Sequence, residues 1–143
     1  MELKKSTQSR RVGILTNFNS LVAIVLLFEI IRIGILPTSS LIYLFIPFLF
    51  LIISYIAFFG KTGLWKFTHK SPKQLDEREI QLSNKSLRFS YILFTILSLG
   101  IFILYNVTGL SINMVLIVSL IYLAHILPAY FISWTEKSTI ESD

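Results

Sequence analysis

The last apolar run of the chain reads INMVLIVSLIYLAHILPAYFISW, residues 112–134, and contains no Asp, Glu, Lys or Arg. As a helix it would measure roughly 35 Å, enough to cross the ~30 Å hydrocarbon core of a bilayer. Three more runs of membrane length lie upstream, at residues 12–36, 41–60 and 89–108. None shows the regular polar alternation of a helix that faces water on one side. The expected fold is therefore an all-α membrane protein with four transmembrane helices.

The basic residues lie between and beside these runs in an orderly way. Lys4, Lys5, Arg10 and Arg11 precede the first; Lys61, Lys66, Lys70, Lys73, Arg78, Lys85 and Arg88 separate the second from the third; Lys137 follows the fourth. Residues 37–40 and 106–111, the connections on the other side, hold none. Twelve of the thirteen Lys and Arg thus fall on one side, and Arg32 is the exception. Basic loops stay cytoplasmic, so both termini are expected inside the cell and residues 61–88 form a cytoplasmic loop.

Composition narrows the function classes. The chain is 54% hydrophobic and 15% charged, against about 25% charged in ordinary globular proteins. Its net charge of +5 is explained by orientation and by attraction to anionic lipids, without a nucleic-acid motif. The absence of cysteine removes disulfides, thiol nucleophiles and thiolate metal sites. Residues 1–11 resemble the basic start of a signal peptide, but the run that follows contains Glu29 and Arg32 and lacks a small-residue cleavage site, so an uncleaved first span is expected.

Within the runs, Pro37 is expected to end the first helix and Pro47 to kink the second by freeing the Tyr43 carbonyl. Ser71-Pro72-Lys73-Gln74 reads as a capped helix start, with Asp76, Glu77 and Glu79 in the first turns. No Gly or Pro follows until Gly100, so the third helix should extend from the membrane into the cytoplasm. Leu75, Leu82 and Phe89, with Ile80 and Leu87, mark the apolar stripe of that extension. Thr95, Ser98 and Gly100 suit close helix approach, and Ser119, Tyr122 and His125, three residues apart, should turn one polar face inward.

Few residues offer chemistry. Glu29 and Arg32 stand three apart, within reach of an ion pair; an unpaired Glu29 could carry protons or cations. His125 reads as a buried hydrogen-bond donor, since no second ligand lies near it for haem or metal. Asp76, Glu77, Arg78 and Glu79, with Lys85 and Arg88, form a charged surface suited to a partner or to lipid headgroups. Four spans with a glutamate in the first resemble the small multidrug-resistance transporters in outline. Those proteins are shorter and lack so strong a charge asymmetry.

Residues 75–91, with Asp76-Glu77-Arg78-Glu79 ahead of the third span, resemble uncharacterised families of small bacterial four-span membrane proteins, the DUF2178-like group among them. The resemblance implies a bacterial inner membrane and assigns no activity, cofactor or catalytic residue. The expected function is structural, accessory or regulatory, exerted through the cytoplasmic helix. A proton- or cation-coupled transporter or channel subunit using Glu29 and His125 is the alternative. Beyond lipid, a homodimer or a membrane protein partner is expected, with no enzymatic role, cofactor or nucleic acid.

The topology is checked with reporter domains fused after Asp143 and inserted within residues 37–40. The first should be active only inside the cell and the second only outside; an external C-terminus overturns the topology.

Overall fold

A chain this apolar must satisfy its backbone hydrogen bonds internally, and helices do so within each segment. The computed structural model describes residues 2–59 and 75–135. The order is α1 (Glu2–Arg32), a 3-10 helix (Thr38–Leu44), α2 (Phe45–Phe59), α3 (Glu77–Thr108) and α4 (Met114–Thr135), with no strand among the described residues. Four stretches, Arg11–Arg32, Thr38–Ala57, Glu77–Thr108 and Met114–Thr135, are long and apolar enough to cross a membrane. The helices fall into two compact units, α1 with the 3-10 helix and α2 in one, α3 with α4 in the other.

Helix ends are set by specific caps, and here the structure corrects several expectations. α1 stops at Arg32, four residues before the end of the apolar run. Gly34 adopts φ +84°, its N–H donates to the Ile31 carbonyl at 3.1 Å, and the Ile35 N–H donates to the Ile30 carbonyl at 3.1 Å. This is a Schellman closure, which glycine permits because it has no Cβ to clash at positive φ. Pro37, expected to end the helix, instead caps the start of the 3-10 helix. Gly109 closes α3 in the same way, at φ +68°, with bonds to the Asn106 and Tyr105 carbonyls. Asn113 then caps α4, its Oδ1 accepting from the Leu116 N–H at 2.9 Å.

In the first unit the 3-10 helix Thr38–Leu44 passes directly into α2 at Phe45 with the backbone still helical, and Pro47 stands third in α2. The irregularity lies just before it, where the 3-10 helix gives way to α2 and the Ile42 and Tyr43 carbonyls accept cap N–H bonds. Between α1 and α2 the fully buried Asn17 Nδ2 donates to the Ser54 hydroxyl at 2.9 Å and to the Leu51 carbonyl at 3.2 Å. The Ser54 hydroxyl itself donates to that carbonyl at 3.0 Å. These bonds fix the register of the two helices, since any slide along the axis would bury the amide unsatisfied. Thr16 and Ser20 satisfy their hydroxyls on carbonyls one turn back, Val12 and Thr16.

In the second unit α3 begins twelve residues before the apolar run at residue 89. Its start is Glu77: Leu75 lies in a bend and Asp76 is extended, so no unbroken helix runs in from Pro72, while Ser71 to Gln74 lie outside the described residues. The buried face carries Ser83, Ser86, Ser90 and Ser98, ending at Tyr105. Of the apolar stripe, suited to lie along a membrane or against a partner, Leu87 and Phe89 are exposed and Leu75, Ile80 and Leu82 half-buried. Small side chains bring neighbouring backbones close where leucine would hold them apart. Gly100, expected at such an approach, would meet nothing within 4 Å if it bore a Cβ. Phe89 and Phe131 join α3 to α4 with ring centroids 4.7 Å apart.

A double-mutant cycle tests the register bond. Asn17→Ala and Ser54→Ala, measured by reversible unfolding in detergent mixtures, should show a coupling of about 1 kcal/mol, the scale of an interhelical hydrogen bond in a membrane. Additive effects would remove the pair from that role.

Candidate functional site

Glu29 lies in the last turn of α1, one turn from its end, because the helix stops at Arg32. The Arg32 Nε donates to Glu29 Oε2 at 2.8 Å, and Nη2 lies 2.8 Å from the same oxygen. The Arg32 side chain is 24% and the Glu29 side chain 15% exposed, which leaves the pair partly open to the surroundings. A cation here complements the negative end of the helix dipole, and it offsets a carboxylate that the dipole alone would disfavour. The arrangement is a helix-end ion pair, as the spacing of three anticipated.

Ser119, Tyr122 and His125 do not form one inward face. Ser119 is buried, Tyr122 half-buried and His125 exposed near the middle of α4. A step of three residues falls about 60° short of a full turn, so two steps carry His125 about 120° away from Ser119. Among the described residues no group of three His, Asp or Glu side chains could hold a metal ion.

The charged start of α3 is built by a capping box. Asp76 Oδ1 accepts from the Glu79 N–H at 2.7 Å, and Glu79 Oε2 accepts from the Asp76 N–H at 3.3 Å. Both acids are thus engaged in holding the helix start, whose positive dipole end they complement. Glu77 and Arg78 are exposed beside them. Lys85 and Arg88, also exposed, share a face with Arg78: at about 100° per residue the three lie within an arc of about 80°. The buried serines occupy the opposite side of the helix.

Two features escaped the sequence reading. One is Asn17, whose polar run Thr16, Asn17, Asn19 and Ser20 reads only as a weak start to the span. The other is an open groove of about 570 Å³ in the first unit. Thr16, Asn19 and Ser20 line it together with Leu27 and Tyr43, and Ala23 and Pro47 contribute between them. The polar residues recur at spacings of three and four, a signal visible in sequence, but nothing there distinguishes the inward Asn17 from the exposed Asn19.

Glu29→Gln and Arg32→Gln, alone and together, should couple by about 1 kcal/mol in the same unfolding assay, as expected of a partly exposed pair. Independent effects would show that the two side chains do not support each other. Comparison of the chain with protein-family models, with curated proteins and with solved structures finds no match.

Proposed function

We propose that this chain is a non-enzymatic multi-pass protein of a bacterial inner membrane, with both termini in the cytoplasm, that presents the start of α3 to a cytoplasmic partner. The supporting observation is the composition of one face of α3. It is basic at Arg78, Lys85 and Arg88, then apolar and exposed at Ile92, Ile96, Leu99 and Ile103. From Arg88 to Thr108 the helix rises about 30 Å, the thickness of a hydrocarbon core. The apolar part faces lipid, and the basic part lies at the anionic headgroups of the inner leaflet.

Glu77 to Arg88 then project about 17 Å beyond the hydrocarbon. Asp76 and Glu77 stand exposed at the tip, and Arg78 beside them completes a surface of both signs for a partner. This placement agrees with the twelve basic residues on one side. The bacterial setting follows the resemblance of residues 75–91. A transporter using Glu29 and His125 finds less support, since Arg32 engages Glu29 at the end of α1 and His125 is exposed.

The test separates charge from capping. Asp76→Asn, Glu77→Gln and Glu79→Gln together keep side-chain acceptors for the helix start and remove the negative charge. The triple variant should lose the crosslink of α3 to its partner and the associated phenotype, while Glu29→Gln keeps both. The reverse pattern, with substrate-dependent proton movement lost in Glu29→Gln vesicles, would favour the transporter.

A further inference from the structure

Val12, Leu15, Asn19, Val22 and Leu26 follow one another on α1 at alternating spacings of three and four, the a and d positions of a heptad. All five are exposed, the four apolar ones at 38–56% of their surface. Asn19 makes no hydrogen bond among the described residues, in contrast to Asn17 two positions before it. If α1 spans from Arg11 to Arg32, Asn19 lies about 12 Å from one end and 20 Å from the other, inside the hydrocarbon. Lipid tails offer an amide no hydrogen bond, and an unsatisfied one there is strongly disfavoured.

We infer that this face of α1 is the seam of a parallel homodimer, in which the Asn19 side chains of two copies hydrogen-bond across the two-fold axis. An asparagine carries both donor and acceptor, so a symmetry-related copy supplies the complement of each group. The inference rests on the membrane reading: copies with the same charge asymmetry insert the same way up, so their α1 helices meet in parallel. A single asparagine at an a position also sets register and pairing, because any slip leaves it facing an aliphatic side chain. The seam ends at Leu26, since the next d position is Glu29, held by Arg32.

The native absence of cysteine makes the test direct. Single cysteines replacing Leu15, Val22 or Leu26 in the full chain in membranes should form disulfide-linked dimers on mild oxidation. Ile121→Cys on α4 and Ile96→Cys on α3, equally exposed positions off the seam, should not. With Leu15→Cys, adding Asn19→Leu should lower the dimer yield at least tenfold, and Asn19→Gln should retain it. Crosslinking that ignores the heptad, crosslinks only to other proteins, or a yield unchanged by Asn19→Leu overturns the inference. Alkaline extraction and the Asp143 reporter are scored in parallel. An extractable or inverted chain overturns the membrane reading, whereas an integral, correctly oriented monomer overturns the dimer alone.

Discussion

The whole structure answers to one constraint: backbone N–H and C=O groups surrounded by apolar side chains must find partners within the chain. Helices meet it along their length, so the difficulty is concentrated at their ends. The caps are accordingly specific. Gly34 and Gly109 turn the chain at positive φ and close the C-termini of α1 and α3. Asp76 with Glu79, and Asn113, supply side-chain acceptors at the N-termini of α3 and α4. The hydroxyls of Thr16, Ser20, Thr95 and Thr108 return to carbonyls of their own helices.

Within the first unit the same constraint acts on side chains. Asn17 is buried and bonded to Ser54 and Leu51, and two residues on, about 200° around the helix, Asn19 is exposed. Fixing the first amide inward necessarily turns the second outward. The register of α1 against α2 and the exposure of Asn19 are therefore one decision. The Gly34 closure, separately, leaves Glu29 in the last turn of α1, where Arg32 holds it.

α3 joins the two environments that the chain inhabits in the proposed reading. Its serine face is buried, while the opposite face passes from Arg78, Lys85 and Arg88 to exposed isoleucine and leucine within one uninterrupted helix. A rigid connection of this kind would transmit the orientation of the span to the charged tip, which a flexible loop would not.

Much was legible in the sequence because run length and the segregation of charge are local, additive properties. They determined four apolar helices of membrane length, an extension of the third, and the Glu29–Arg32 pair, whose three-residue spacing is enough for contact. Capping was only partly legible: the acids near the start of α3 were visible, but Asp76, with its bonds to Glu79, is the residue that ends the extended chain. Facing was not legible. Which of two asparagines is buried, whether serines or leucines form the packed side of α3, and that His125 is exposed were decided by tertiary structure. In a span apolar all round, hydrophobicity no longer marks an inside: α1 is held to α2 through Asn17, α3 buries serines, and α4 buries Leu116, Leu120, Leu123 and Ile126.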